Sequence, residues 1–270
     1  MQSNNSMSQQ IYIYHHLGLG DHFHCNGVVR FLLNKKYKSL KVRLFSKKKY
    51  SEMIKFMYRD LNNLEIVPIT DDEKKEKDEV NSILNSKDIL EKIGFDYFLK
   101  YQNKKKTIDM LFYEQYNIDY SERFKLTYWK RDLNKEKKLF KELVHNEDYA
   151  FVHDDPSRGF VIPDSAISKN FQIIRNSYLH SIFDYGEIIE NSKEIHVMES
   201  SARCMLEYLN TKNSKHFLYD FVGGPWKSIP FINENNEIIG SSKKWKIIKI
   251  DYLSKKSIGK RIKKIFNFNR

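Results

Sequence analysis

The stretch IYIYHHLGLGDHFHCNGVVRFLL, residues 11–33, contains the clearest folding signal of the chain. Its first six residues combine β-branched and aromatic side chains and are soon followed by two glycines, which predicts a strand followed by a turn. Beyond the turn, apolar residues recur at the spacing of one buried helix face. These residues are Cys25, Val28, Val29, Leu32 and Leu33. The stretch therefore predicts a strand, a glycine-rich turn and a helix, in that order.

The same alternation of strand and helix continues along the chain. Helical stripes of apolar residues are predicted from Tyr50 to Leu61, over residues 180–192 and after Ser200. The further strands are predicted at residues 41–45, 64–69, 149–155, 171–175, 195–198 and 216–220, the last of them closing the series. Short strands that alternate with amphipathic helices are typical of a parallel sheet covered by helices.

We therefore expect an α/β protein with two Rossmann-like domains that face a cleft. The expected domains are residues 1–143 and 144–253, because the pattern restarts near residue 143. The remaining segment, residues 254–270, is a basic amphipathic tail. It fits a helix attracted to an anionic membrane surface, and it fits equally well a terminal helix that packs its apolar stripe on the protein.

Composition narrows the class of protein. The 270 residues include 47 Lys and Arg against 35 Asp and Glu, a net charge of +12 that favours an anionic partner. Most of this charge is lysine scattered along the chain, so it is weak evidence of function. Two distant cysteines exclude a disulfide framework or a CxxC zinc site. With no leader segment and no run of 18 apolar residues, we expect a cytoplasmic protein.

The first candidate site is the turn HHLGLGDHFHCNG, residues 15–27. Gly18 and Gly20 would let the backbone approach a ligand closely. The dinucleotide pattern GxGxxG needs a third glycine where Phe23 stands, so NAD binding is not expected. Asp21 is interpreted either as the cap of the following helix or as a general base at the end of the first strand. The clustered His15, His16, His22 and His24 lack a carboxylate or thiol at ligand spacing, so no metal site is predicted.

The second candidate is FVHDDPSRGF, residues 151–160, which follows a predicted strand. Arg158 offers a planar fork of donors that suits a phosphate, and we expect His153 at the strand end to donate to the same phosphates or to the sugar. The alternative is a hairpin-type turn in which Asp and Pro play their usual roles.

The third candidate is HVMESSARCML, residues 196–206. Ser200 and Ser201 precede a predicted helix, whose first N–H groups and dipole favour an anion at the carboxyl edge of the sheet. The alternative is an ordinary serine cap without a ligand. Because Arg158 is predicted at the same edge, the two segments together suggest a phosphate site.

Taken together, these motifs resemble the GT-B glycosyltransferases, in particular small bacterial or viral enzymes related to the heptosyltransferase and fucosyltransferase groups. LGLGDHFHCNGVVRFL looks like the heptosyltransferase loop in which Gly-Asp precedes a helix and the Asp is the catalytic base, which implies that role for Asp21. FDYGEIIENSKEIHVMESSARCMLEYL resembles the stretch that cradles the nucleotide diphosphate, which implies donor binding by Ser200 and Ser201. FVHDDPSRGF is similar in position to the fucosyltransferase turn that places a His and an Arg against the diphosphate. The resemblance therefore assigns those roles to His153 and Arg158, although the double arginine typical of that turn is absent.

The resemblance implies a metal-independent enzyme without a cofactor. It would transfer a sugar from a nucleotide-diphosphate sugar to a hydroxyl of a glycan or lipid-linked glycan in polysaccharide biosynthesis. Residues 1–143 would then be the acceptor-side domain and residues 144–253 the donor domain. Peripheral contact with the inner face of the membrane through the tail is part of this expectation, and nucleic acid is not an expected partner. The alternatives are a basic nucleic-acid-binding module and a non-catalytic Rossmann-like protein that binds a nucleotide.

Overall fold

In a computed structural model the chain divides into two compact units, Met1–Lys130 and Arg131–Arg270. The structure describes residues 9–95, 106–222, 233–235 and 237–252. Within these ranges each unit has one sheet in which every pair of neighbouring strands is parallel. The predicted α/β class with two Rossmann-like domains is confirmed, and that these domains face a cleft stays a prediction.

The sheet of the first unit has the strand order β3-β2-β1-β4. Its strands are β1 Ile11–Tyr14, β2 Val42–Lys47, β3 Leu64–Ile69 and β4 Ile89–Lys92. The α-helices that lie within the described residues of this unit are α1 Leu19–Phe31, α2 Ser51–Met57, α3 Glu76–Ile83, α4 Ile108–Glu114 and α5 Arg123–Leu126. Strand β1 lies between β2 and β4, with Ile11 opposite Val42 on one side and Ile89 on the other. All four residues of β1 are buried.

The core of the first unit follows the predicted apolar pattern. All five residues of the predicted stripe on α1 are buried, as the spacing indicated. The helix continues beyond Phe31 into a wider π-helical turn, Leu32–Lys36. On the sheet, Phe45 packs between two tyrosines of β1, with ring centroids 5.2 Å from Tyr12 and 6.0 Å from Tyr14. Aromatic rings bury a large apolar area and prefer such stacked or edge-on contacts.

The sheet of the second unit has the strand order β6-β5-β7-β8-β9. Its strands are β5 Tyr149–His153, β6 Gln172–Arg175, β7 Glu194–Met198, β8 Lys215–Val222 and β9 Trp245–Asp251. Its helices are α6 Leu133–Leu143, α7 Gly186–Asn191 and α8 Ser201–Leu206, with 3₁₀ turns at Pro156–Arg158, Asp164–Ala166 and Ile182–Tyr185. One face of the sheet packs on a core that includes Ala150, Val152, Phe160 and Tyr219.

The boundary between the units lies between Lys130 and Arg131, and not after residue 143 as the sequence pattern suggests. The reason is that α6 packs with the second unit. Its Phe140 ring lies edge-on to Tyr149 of β5 at 6.3 Å, and Arg131 forms ion pairs with Glu136 of α6 and Glu190 of α7. The amphipathic stripe of α6 thus covers a surface that the second sheet and α7 create.

Two strands are missing from the sequence prediction. Strand β4 has only two strongly apolar residues, Ile89 and Leu90, too few for a pattern. Strand β9 pairs with β8 over seven residue pairs, so the expectation that residues 216–220 form the last strand is wrong. Lysines interrupt the apolar residues of β9 and weaken its strand signal.

In both sheets the strand order reverses direction next to the first strand of the unit. The first sheet grows from β1 to β2 and β3 on one side, and β4 is then added on the other side. The second sheet does the same with β5, β6 and then β7. In open α/β sheets such a switch point leaves a crevice at the carboxyl ends of the two strands, where ligands bind. The carboxyl ends of β1 and β5 are therefore the places to look for a site.

Candidate functional site

The turn after β1 places the predicted Gly18 and Gly20 at the switch point of the first sheet. Helix α1 begins at Leu19, so Gly20 lies in its first turn and Gly18 is the N-cap, with φ −67° and ψ 148°. Neither glycine has a positive φ, so backbone conformation does not explain Gly18. Its reason is space, because a Cβ at Gly18 would lie 2.6 Å from Oδ2 of Asp21.

Asp21 is the third residue of α1 and not its cap, since Gly18 occupies that position. Its Oδ2 accepts a hydrogen bond from the Gly18 N–H at 3.2 Å, which fixes the carboxylate against the turn. Burial raises the pKa of Asp21 to about 7, and the Gly18 N–H and Lys47 only partly oppose this effect. A half-buried carboxylate with a pKa near neutral has the property that a general base needs.

The positive charge of Lys47 lowers the pKa of Asp21 and so partly opposes the effect of burial. Nothing in the sequence distinguishes Lys47 from the lysines that follow it. It is the last residue of β2, and its side chain is only 8% exposed. Its Nζ lies 3.1 Å from Oε1 of Glu73 and 3.7 Å from Oε2 of Glu76. Burial lowers the pKa of Lys47, but the two glutamates outweigh this and leave it raised. A permanent positive charge therefore lies at the carboxyl end of the strand beside β1.

Three histidines surround the same turn, two of them buried and His16 partly buried. His15 and His22 are fully buried, with ring centroids 4.4 Å apart in an edge-on contact, and His16 stacks on Phe95 at 4.7 Å. Burial lowers the pKa of His15 to about 4 and that of His22 well below its usual value, so both are neutral at pH 7. Within the described residues, neither ring nitrogen of His22 has a hydrogen-bond partner. Buried polar groups without partners are costly and concentrate at functional sites.

The histidines do not form a metal site within the described part of the chain, where no group of three or more His, Cys, Asp or Glu residues is arranged to bind a metal ion. His24 instead lies 3.5 Å from Oδ2 of Asp109, and the same carboxylate accepts a short hydrogen bond from Tyr120.

In the second unit, the structure brings His153 and Ser200 together at the switch point of the sheet. His153 is the last residue of β5 and Ser200 follows the neighbouring β7, and the His153 Nδ1 lies 3.3 Å from the Ser200 Oγ. The Ser200 hydroxyl also donates to the Met198 carbonyl at 3.2 Å. Burial lowers the pKa of His153 to about 4. At neutral pH this histidine is therefore an uncharged donor and not a cation.

Ser200 occupies the predicted cap position, but its side chain does not cap the helix. Ser200 is the N-cap residue of α8, but its side chain makes no capping hydrogen bond, because His153 and the Met198 carbonyl engage it instead. Ser201 is the first residue of α8, a helix of six residues. The preceding Glu199 forms an ion pair with Arg203, one turn along α8, so it has a structural partner.

Arg158 lies in the 3₁₀ turn after β5, held by Asp155. Asp155 caps the turn by accepting from the Arg158 N–H at 3.2 Å, and its Oδ2 accepts from the Arg158 Nε at 2.5 Å. The arginine side chain remains 52% exposed. The interpretation as a turn agrees with this geometry, and phosphate binding by Arg158 stays a prediction. Asp155 and Pro156 have their usual turn roles, and the turn presents a guanidinium to solvent.

Two more residues at this edge were not predicted. Asp154 is buried, and it accepts from the Ile162 N–H at 2.9 Å and from the Arg175 Nη1 at 2.5 Å, which ties the loop after β5 to the end of β6. Tyr178 follows β6, is 79% exposed, and donates to Oδ1 of Asp155 at 3.1 Å. Tyr178 and Arg158 thus donate to the same carboxylate, that of Asp155. No pattern in the sequence separates Tyr178 from the many other tyrosines.

The tail at residues 254–270 lies outside the described residues. Among the helices in the described ranges, none combines the length and apolar character needed to cross a membrane.

Fold and site together define a protein of two Rossmann-like units, each with polar groups at the switch point of a parallel sheet. The sequence matches no family model and no curated protein. Among solved structures, the chain is similar to the E. coli heptosyltransferase WaaC with ADP at 11% identity, with a TM-score of 0.44, covering 95% of this chain and 99% of that chain. It is also similar to the same enzyme with ADP-2-deoxy-2-fluoro heptose, at 10% identity and a TM-score of 0.43, with the same coverage.

Proposed function

We propose that this protein is a glycosyltransferase. It transfers a sugar from a nucleotide-diphosphate sugar to a hydroxyl group of a glycan or lipid-linked glycan, without a metal ion or a resident cofactor. The observation that carries the proposal is Asp21, a half-buried carboxylate at a switch point whose pKa is raised to about 7. The resemblance of its loop to the heptosyltransferase loop gives the same residue the same role.

In the proposed reaction Asp21 takes the proton of the acceptor hydroxyl. The hydroxyl oxygen forms a bond with the anomeric carbon of the donor sugar, and the bond between that carbon and the diphosphate oxygen breaks. The electron pair of the broken bond leaves with the nucleoside diphosphate, and the proton ends on the Asp21 carboxylate. A base with a pKa close to the working pH is present in its ionised form and still accepts a proton readily.

The second unit would bind the donor through Arg158, His153 and Ser200, with Ser201 at the start of α8. Arg158 is the charged group of this set, and a guanidinium recognises phosphate oxygens through paired N–H donors. His153 and Ser200 would add uncharged hydrogen bonds, since the pKa of His153 is lowered to about 4. Fixed donors would thus stabilise the charge that develops on the departing diphosphate, and stabilisation of this kind accounts for much of the rate enhancement of many enzymes.

Gly18 contributes by leaving room for the Asp21 carboxylate. Gly20 would contribute an N–H in the first turn of α1, where backbone donors have no acceptor within the helix. Attachment of the tail, residues 254–270, to an anionic membrane would place the enzyme near a lipid-linked acceptor.

The nucleic-acid alternative has less support. Its stacking surface would require exposed aromatic rings, and four of the large tyrosines in the described residues, Tyr113, Tyr149, Tyr185 and Tyr219, are fully buried, while Phe124, Tyr128 and Tyr178 are exposed. A non-catalytic nucleotide-binding protein would share the groups around Arg158, and it would have no use for a base at Asp21.

The experiment is a thermal-shift panel of GDP, ADP, UDP, CDP and dTDP with EDTA present, because a ligand of the folded state raises the melting temperature. We expect one diphosphate to raise it, and Arg158→Ala to lose most of this rise. Lys169→Ala is the matched control, since it removes an exposed positive charge from the same unit and should keep the shift. If no diphosphate acts while a short oligonucleotide does, the transferase proposal is wrong.

A further inference from the structure

A cavity of about 580 Å³ lies at the amino edge of the second sheet. It is lined by residues at and near the amino ends of β8 and β9, which begin at Lys215 and Trp245. His153 and Ser200 lie at the opposite edge, because they follow the carboxyl ends of parallel strands. The cavity is therefore separate from the proposed donor site, and the proposed function leaves it without a role.

The lining of this cavity is strongly basic. It includes five lysines and, among the described residues, no Asp or Glu. The lysines are Lys212, Lys215, Lys243, Lys244 and Lys246. Lys215 has a distant ion contact, 3.9 Å, with Glu194. In the part of the chain that the structure describes, no ion pair involves Lys212, Lys244 or Lys246.

The nearby acid Glu207 is engaged mainly by groups other than these lysines. Its carboxylate accepts from the Ser242 N–H at 2.7 Å, from the Ser241 Oγ at 2.6 Å and from the Trp245 Nε1 at 3.4 Å. It also pairs with Arg203 of α8 at 3.3 Å. Glu207 therefore fixes the turn that leads into β9 and presents the lysines of that turn at the cavity.

Lys243 lies among charges of both signs. It is half-buried, and its Nζ donates to the Leu209 carbonyl at 2.7 Å. Burial lowers the pKa of Lys243, Glu207 and Glu190 oppose this effect, and Lys212 adds to it. His216, which bonds to the Thr211 hydroxyl at 2.8 Å, has its pKa lowered to about 4 by burial and by Lys243. An anion in the cavity would therefore lie against a lining of net positive charge.

We propose that this basic cavity binds a phosphate-class polyanion. The ligand chemistry is a compact group with at least two adjacent negative charges, such as the pyrophosphate part of a soluble metabolite or the phosphorylated headgroup of a lipid. Lysine ammonium groups act as point charges that suit such a group. Phe217, with the Lys246 ammonium 5.9 Å from its ring centroid, adds an apolar wall for the part of the ligand next to the phosphate.

The test uses the full chain with Arg158→Ala as background, so that the proposed donor site does not contribute. Inorganic pyrophosphate is titrated by calorimetry against this background and against the same protein with Lys212→Gln, Lys244→Gln and Lys246→Gln. The matched control has Lys137→Gln, Lys138→Gln and Lys141→Gln, three exposed lysines on α6. We expect the cavity variant to bind pyrophosphate at least tenfold more weakly than the control.

A second arm distinguishes the two sources of the phosphate. Vesicles of phosphatidylcholine with and without phosphatidic acid are sedimented with the cavity variant and with the α6 control. Stronger sedimentation of the control on phosphatidic acid vesicles identifies a headgroup site, and equal sedimentation together with the pyrophosphate difference identifies a soluble ligand. Equal behaviour of the two variants in both arms overturns the proposal. Because all six lysines are exposed or line an open cavity, all variants are expected to fold, which their melting temperatures check.

Discussion

At the scale of single residues, Gly18 positions the carboxylate of Asp21. The carboxylate is held by the Gly18 N–H at 3.2 Å, and the missing Cβ of Gly18 is what makes room for it. The sequence singled out both residues, but it assigned the glycine to backbone freedom. Only the structure shows that the requirement is space beside a carboxylate, because a turn with an ordinary φ of −67° gives no signal of its own.

Gly18→Ala tests whether Gly18 positions the Asp21 carboxylate. The added methyl group would lie 2.6 Å from Oδ2 of Asp21 and would push the carboxylate aside. We expect sugar transfer to fall at least tenfold, because small displacements of a reacting group are costly. The backbone at residue 18 suits alanine, so the melting temperature should change by only a few degrees. An unchanged rate would contradict the proposed role of the glycine.

Asp21→Asn should make the protein more stable at high pH. Burial raises the pKa of Asp21 to about 7, above its ordinary value of 3.8, so the folded state favours the protonated form. The ionised carboxylate therefore costs stability, and this cost grows as pH rises from about 4 to 7 and then levels off. Melting temperatures at pH 5 and pH 8 measure it, with the advantage of Asn larger at pH 8. An advantage that shrinks with pH would contradict the raised pKa.

At the scale of elements, the carboxyl ends of β5, β6 and β7 are joined by side chains that the sequence pattern does not reveal. Spacing predicts the three strands, because their apolar residues form short runs between polar segments. It does not show that Asp154 turns inward to Arg175 while its neighbour Asp155 caps a turn. Such a difference between adjacent identical residues depends on tertiary contacts.

Asp154→Ala and Asp164→Ala separate the buried from the exposed partner of Arg175. Both carboxylates lie 2.5 Å from the guanidinium, but the Asp154 side chain is 2% exposed and that of Asp164 is 72% exposed. Removing the buried partner should cost about 3 kcal/mol in the free energy of unfolding, and removing the exposed one less than about 1 kcal/mol. Urea unfolding measures both, and equal losses would contradict the assignment.

Diphosphate binding should tighten as pH falls from 7 to 5. The pKa of His153 is lowered to about 4 in the unliganded protein, and a bound anion would raise it, so the complex takes up a proton. Calorimetry at both pH values measures the effect. In His153→Asn the dependence should become weaker, and an unchanged dependence would remove His153 from the proposed site.

At the scale of the whole molecule, the alternation of strands and helices is enough to predict two parallel sheets, because βαβ connections leave few other arrangements. Their extent is harder to predict. Strand β9 is interrupted by lysines and β4 is very short, so neither stands out from its surroundings. The boundary at Lys130 also escapes the pattern, since it depends on which unit offers a surface for α6.

The candidate sites, too, contain residues that the sequence predicts and residues that only the structure reveals. Asp21, His153, Arg158 and Ser200 were predicted because they follow predicted strands, whose carboxyl ends are where parallel sheets bind ligands. Lys47, Tyr178 and the buried pair of Asp154 with Arg175 were not, because a lysine, a tyrosine or an aspartate after a strand is ordinary in a chain of this composition. Their placement becomes visible only when neighbouring strands are brought side by side.

The most direct test is to measure release of nucleoside diphosphate by the wild type and by Asp21→Asn, with a panel of glycan acceptors. The donor is the nucleotide sugar whose diphosphate raises the melting temperature. We expect the wild type to release diphosphate in the presence of a suitable acceptor, with kcat/KM rising toward a plateau above about pH 7. Asp21→Asn should lose at least a thousandfold in rate while the diphosphate still raises its melting temperature. Transfer by Asp21→Asn at the rate of the wild type would show that Asp21 is not the base.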